Sequence, residues 1–200
     1  MSYLETVTGR MVNVTDPDPS QIDIEDIAWG LSRIPRFAGQ TISKKPYTVA
    51  QHSVLVFEIY SKIVKNNDEQ YNNSQSKLKA LMHDAAEAYI GDIPSPIKKH
   101  PTIKEAIKEF EYNLLNVIFD SCNIDSPDGV EKILIKEADM IALAIEAHAF
   151  MKSRGLSIEW GVPKISLLDL QNFEEPWDSI TAYHKFKEIY NMLQSIGDKK

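Results

Sequence analysis

"ALMHDAAEAYIGDIPSPIKKH", residues 80–100, sets a histidine and an aspartate side by side in an apolar helical pattern. Glu87 and Asp92 follow, and then a run of prolines and lysines. Ionisable groups avoid apolar faces unless something compensates them. Leu78, Leu81, Met82, Ala85 and Tyr89 recur at helical spacing, which predicts a helix over about Ser76–Ile90. A helix turns by about 100° per residue. With His83 at zero, Asp84 falls at ~100° and Glu87 at ~40°, one turn along and between them. A cation lodged on that edge would meet an imidazole and a carboxylate. Glu87 would stand close enough to hydrogen-bond a water beside it.

The same periodicity continues on both sides. Ile24, Ile27, Ala28, Leu31 and Ile34 form one apolar face, with Ser20 as N-cap, Asp23 in the first turn and Pro35 as terminator. A second helix is expected from about Thr48 to Lys65, with Val49, Val56, Ile59 and Ile63 inward. A fourth is expected from about Thr102 to Cys122, burying Ile103, Ile107, Phe110, Leu114, Val117 and Ile118. A fifth runs from about Pro127 to Ser153 through Ile133, Leu134, Ala138, Ile141, Ala142 and Ile145. The last runs from about Trp177 to Ile196, with Ile180, Tyr183, Phe186, Ile189 and Leu193 inward. The opening stretch "TVTGRMVNVTDPDPSQ" holds at most a short hairpin or arm, and "RGLSIEWGVPKISLLDLQNFEEP" is irregular with room for one short helix. Nothing alternates as βαβ. The fold class is all-α, a single bundle-like domain over residues 1–200, with the motif-bearing core at about 20–150.

Composition narrows the function classes. The chain has 200 residues, enough for one domain with a substantial core, and 43% apolar against 26% charged residues is an ordinary globular balance. A net charge of −7 argues against nucleic acid as a partner. The single cysteine, Cys122, excludes a disulfide framework. No apolar run approaches the roughly 20 residues that span a bilayer, and "MSYLETVTGR" lacks a signal pattern. A reduced, cytoplasmic protein without membrane attachment is expected.

Two ligands hold a catalytic ion loosely, so other helices should supply more. His52, in "YTVAQHSVLVFEIY", and Asp139, in "LIKEADMIALAIEAH", both sit among apolar residues. Each alone is more often a satisfied core group, a cap or a salt-bridge partner. Together with His83 and Asp84 they fall on three helices in the order His, His-Asp, Asp, which chance seldom produces.

That order resembles the signature of the HD-domain phosphohydrolase superfamily. The likeness is to its small nucleotide-hydrolysing branch of 5'-deoxynucleotidases and deoxynucleoside triphosphohydrolases. It is carried by "DIEDIAWGLSRIPRFAGQT", "YTVAQHSVLV" and "LMHDAAEAYIGDIPSPIK", within about Thr8–Ile145. The resemblance implies an HD-type helical bundle with His52, His83, Asp84 and Asp139 as metal ligands. It implies Glu87 as the catalytic carboxylate, Asp92 as an acid that helps orient the attacking water, and Arg36 and Lys98 as phosphate contacts. Related sequences often read "RF.GHT" where this chain has "RFAGQT"; Gln40 forms hydrogen bonds but is no cation at pH 7. Trp29, Phe37, Gln40 and Tyr89 are candidate base or sugar contacts, with core packing as the alternative for the aromatics.

The expected reaction is hydrolysis of phosphate from purine (deoxy)nucleotides or analogues, mono- to triphosphate. Its cofactor is a divalent transition metal (Co²⁺, Mn²⁺, Fe²⁺, Ni²⁺ or Zn²⁺), with Mg²⁺ accompanying a triphosphate substrate. A cyclic-nucleotide or (p)ppGpp-type phosphodiesterase and a non-enzymatic nucleotide sensor are the rival readings. The expected partners are the nucleotide substrate and, as a homo-oligomer, further copies of the chain.

Overall fold

In the computed structural model of the chain, residues 3–67, 69–155 and 175–197 are described. The expected hairpin is present as β1 (Tyr3–Glu5) paired antiparallel with β2 (Met11–Asn13), Leu4 opposite Val12. Asp18 then caps a single 3₁₀ turn, Pro19–Gln21, in a reciprocal capping box with Gln21. Ser20 therefore lies inside that turn, and α1 (Ile24–Arg33) is capped by Asp23, whose carboxylate accepts the Glu25 N–H. This corrects the expectation that Ser20 caps α1. Asp23 has an extended backbone, φ −138° and ψ 133°, which the cap position requires and a first-turn residue does not have.

α2 (Val49–Asn67) runs through the middle of the molecule, against α1, α3 (Ser74–Leu81), α7 (Gly129–Phe150) and α8 (Ser179–Gly197). Its start is buried without interruption from Thr48 to Val54. One apolar cluster joins α1, α3, α8 and the C-terminal half of α6 (Lys104–Ser121). A second joins the far face of α2 to α7 through Val56, Tyr60, Val64, Ala138 and Ala142.

The helix expected over Ser76–Ile90 is broken. α3 ends at Leu81, residues 82–86 form tight turns, and a short α4 (Glu87–Ile90) follows before Gly91, φ +80°. Ala85 N–H donates to Met82 O and Glu87 N–H to Asp84 O, both i→i+3 bonds at 3.0 Å. His83 Nδ1 lies 2.9 Å from Ala80 O, the carbonyl that Asp84 N–H would use in an unbroken α-helix. The wheel placing Glu87 between His83 and Asp84 on one continuous helix is therefore overturned. One further turn, α5 (Ser95–Lys98), lies between Pro94 and α6.

Four inward assignments also change. Ile103 and Phe110 are 37% and 45% exposed, because α6 packs mainly through Leu114, Ile118 and Phe119 in its second half. Ile133 is 68% exposed. The buried face of α7 runs through Ile135, Ala138, Ala142 and Ile145, and Ile133 lies roughly 140° away from Ala138 on the wheel. Ile180 is 59% exposed, opposite the Ala182, Phe186, Tyr190 and Leu193 face of α8. The short helix allowed for in the stretch after Arg154 falls almost wholly outside the described residues. Among the described residues no helix is long and apolar enough to cross a membrane.

Candidate functional site

The break after α3 matters because of what faces it. α2 contributes His52 from its buried first turn and α7 contributes Asp139 from its middle. His52 Nε2 lies 3.4 Å from Asp84 Oδ2 and 3.4 Å from Asp139 Oδ1. His83 Nε2 lies 3.2 Å from Asp84 Oδ2, and the two imidazole rings are 5.2 Å apart. Ligand atoms of His52, His83 and Asp139 all fall within 4.8 Å of one another. All four side chains expected at a metal site thus converge.

The donor set fits a cation. His83 Nδ1 faces a carbonyl, so it carries the proton. His52 Nδ1 is 2.6 Å from Glu146 Oε1 and donates to that carboxylate. Both Nε2 atoms are then lone-pair acceptors, buried and without a hydrogen-bond partner. Neutral nitrogens aimed at two carboxylates repel them unless a positive charge sits between. Separations of 3.2–3.4 Å suit donors each about 2.0–2.2 Å from a common ion. Without that ion a proton takes its place: burial and Arg36 oppose the His52 imidazolium, but Glu146, Asp139 and Asp84 outweigh them and raise its pKa well above the usual range. Burial would push the Asp84 carboxyl up, yet His83 and His52 hold it well below normal. Asp139 is lowered in the same way, chiefly by His52 against burial. Lys136 Nζ covers its outer oxygen at 2.7 Å.

Glu87 opens α4 nearly buried. Burial and then the Asp84 charge push its pKa up to about 8, against the pull of Lys98. Lys98 Nζ lies 3.0 Å from Glu87 Oε1 and 2.7 Å from Glu111 Oε1. The expected phosphate contact is therefore already between two carboxylates. Asp92 follows α4 half-buried, and its charge acts on both Glu87 and Arg36.

Arg36 follows Pro35, which forms a β-bridge with Thr48. Arg36 N–H donates to Tyr47 O at 2.8 Å, closing the loop between them. Phe37 and Ala38 take left-handed backbone conformations, φ 56° and 50°, which a bulky residue seldom adopts. The turn keeps Arg36 over the Phe37 ring, 5.6 Å from its centroid, and aims the guanidinium inward. There Nε donates to Glu146 Oε2 at 3.1 Å, and Nη1 lies 3.7 Å from Asp84 Oδ2.

The other expected contacts divide. Phe37 stays beside Arg36, while Gln40 is exposed. Trp29 stacks on Tyr183 at 4.2 Å with Arg33 over its ring, so it is committed to the α1–α8 seam. Tyr89 is buried in the core. Packing is the role these two positions support. A cavity of about 240 Å³ opens instead on His83 and Asp139, between α6 and α7, walled by Tyr112, Leu115, Phe119 and Ile135. Tyr47 and Glu146 were not among the expected site residues. Glu146 lies seven residues beyond Asp139, hence on the same face of α7, and that spacing in an apolar helix was the available signal.

The model of the family described as 5'-deoxynucleotidase YfbR-like matches residues 27–154, a span that contains every candidate site residue named above. YfdR of Escherichia coli is 34% identical over 198 residues, 98% of each chain. An uncharacterized protein of Rhodobacter capsulatus is 33% identical over 149 residues, 74% of this chain and 72% of its own. The 4'-phosphooxetanocin A phosphatase of Priestia megaterium is 28% identical over 136 residues, 64% of this chain and 70% of its own. The reading as a non-enzymatic sensor gives way to an enzyme on these findings. The chain belongs to the YfbR-like 5'-deoxynucleotidase family of HD-domain phosphohydrolases.

Proposed function

We propose that the protein is a divalent-metal-dependent nucleotidase that removes phosphate from purine (deoxy)nucleotides or their analogues. The observation that carries this is the pair of histidines with tied Nδ1 atoms, whose buried Nε2 atoms face Asp84 and Asp139. The family description and the phosphatase among the relatives support phosphate ester hydrolysis as the chemistry. The mixed nitrogen and oxygen donors suit Mn²⁺, Co²⁺, Fe²⁺, Ni²⁺ or Zn²⁺. Such an ion, when bound by His52, His83, Asp84 and Asp139, supplies Lewis acidity and makes an adjacent water a stronger acid.

The chain's own residues do the rest. Glu87, nearly buried and made more basic by its surroundings, accepts in its ionised form the proton of the attacking water and passes it to the leaving oxygen. Asp92 helps orient that water. Arg36 presents its Nη edge to the phosphate, and Lys98 balances the charge of Glu87 and of the incoming substrate. The cavity between α6 and α7 takes the nucleoside end, with Tyr112 and Phe119 as apolar walls. A substrate of this kind is a single nucleotide in a reduced, cytoplasmic setting, and the working form is a homo-oligomer.

A phosphate-release screen over nucleoside mono-, di- and triphosphates, with Mn²⁺ or Co²⁺ and with EDTA, tests this. Metal-dependent release from at least one purine nucleotide is expected, and chromatography of the products identifies the bond cut. Release that persists in EDTA, or hydrolysis confined to cyclic nucleotides or (p)ppGpp-type substrates, would overturn it.

A further inference from the structure

Glu146 is fully buried and accepts from three side chains. Its Oε1 takes His52 Nδ1 at 2.6 Å and the Tyr47 hydroxyl at 3.0 Å, and its Oε2 takes Arg36 Nε at 3.1 Å. Burying a carboxylate costs several kcal/mol unless every lone pair is used, so such a group is an expensive way to fill space. Two of its partners serve different tasks. His52 turns its other nitrogen to Asp84 and Asp139. Arg36 turns its Nη1 towards Asp84, 3.7 Å away.

We propose that Glu146 is a positioning residue that serves the cation site and the phosphate site at once. This rests on the phosphohydrolase reading of the site. Towards the cation, Glu146 fixes the tautomer and ring rotation of His52, as carboxylates behind metal-binding histidines do. Towards the phosphate, it grips the guanidinium by its Nε edge and leaves the Nη edge free to fork an oxyanion. It also anchors Arg36 against Asp84. A guanidinium released from Glu146 would close the 3.7 Å gap, pair with Asp84 and neutralise a carboxylate that the cation needs.

Glu146→Gln and Glu146→Ala separate the two tasks. A glutamine oxygen still accepts from His52, but its NH₂ meets Arg36 Nε donor to donor. Glu146→Gln is therefore expected to lower Mn²⁺ affinity by less than about tenfold while raising KM and the inhibition constant of orthophosphate at least tenfold. Glu146→Ala loses both holds, and its Mn²⁺ affinity should fall about 10–100-fold. Calorimetry with Mn²⁺ and orthophosphate reads binding without turnover. A folded Glu146→Gln with wild-type Mn²⁺ and orthophosphate affinities and only a lower Tm would make Glu146 a structural residue and end the proposal. Wild-type protein that binds both ligands but hydrolyses no nucleotide would count against the nucleotidase reading alone. Wild-type protein that binds no Mn²⁺ would overturn both.

Discussion

The Lys98 ammonium bridges Glu87 and Glu111, at 3.0 Å and 2.7 Å, across the turns that follow the His83–Asp84 break. A cation tied to the proposed proton acceptor sets that group's basicity as well as its position. Burial and Asp84 push Glu87 up to about 8, and Lys98 opposes them. Glu87→Gln preserves the side-chain volume and removes the titrating oxygen. It should retain wild-type Mn²⁺ content while kcat falls about 10²–10⁴-fold, the usual worth of a general base. Metal analysis of the purified variant beside its steady-state rate checks this. A Glu87→Gln enzyme at full rate removes the residue from the mechanism.

Among the described residues, Asp84 is the one carboxylate within 3.4 Å of both Nε2 atoms of the cluster. Asp84→Ala therefore strips the site of the group that both histidines share, and it should abolish metal retention and turnover together. EDTA treatment of wild type should give the same loss, reversed on adding Mn²⁺ or Co²⁺. An active, metal-free Asp84→Ala protein would be fatal to the assignment.

The four candidate ligands were legible because ionisable groups in apolar stretches demand compensation, and their order along the chain narrowed what could supply it. Glu87 was legible as a residue but not in its geometry. Helical periodicity in "ALMHDAAEAYI" is satisfied by a run of turns as well as by a helix, and the His83–Ala80 bond that accompanies the break is a side-chain choice. Glu146 was hidden by its own satisfaction. Its partners Arg36 and Tyr47 lie about a hundred residues away in sequence, at the ends of one loop. The burial of α6 was over-assigned because an apolar residue at helical spacing shows which face could be covered, not whether a neighbour covers it. Ile103 and Phe110 lie at and near the start of α6, outside its buried Leu114–Phe119 stretch.

Gly30 is a backbone contact rather than a hinge. A Cβ built on it would lie 2.9 Å from Ala88 O and 3.0 Å from Ala88 Cβ, where α1 crosses α4. Neither atom is the end of a flexible chain, so one of the two segments must move. Gly30→Ala gains helix propensity of about 1 kcal/mol. Overpacking costs typically about 1–3 kcal/mol, so a net loss is expected. Because Glu87 opens α4, the shift should also lower kcat more than it weakens Mn²⁺ binding. Thermal melts with rate measurements decide. A Gly30→Ala protein more stable than wild type would show that the α1–α4 approach is looser than the structure has it.

Glu131 gives the fold an acid limit outside the site. Its carboxylate is nearly buried, takes Lys79 Nζ at 2.9 and 2.8 Å and the Ser76 hydroxyl at 2.6 Å, and completes the capping box of α7. Burial would raise its pKa, but Lys79 and Ser76 lower it below the ordinary glutamate value. A carboxyl depressed in the folded state binds its proton more readily when unfolded. The stability it contributes is thus fully present above the unfolded value of about 4.3 and is lost as pH falls through the folded value. Glu131→Gln leaves Lys79 buried beside an amide, and it should cost about 3 kcal/mol at pH 7. It should also flatten the acid limb of the stability curve, since the variant has no proton to take up there. Urea melts of both proteins between pH 3 and 7 measure the difference. A gap that stays constant across that range, rather than closing towards acid, would show that Glu131 is not depressed in the folded protein.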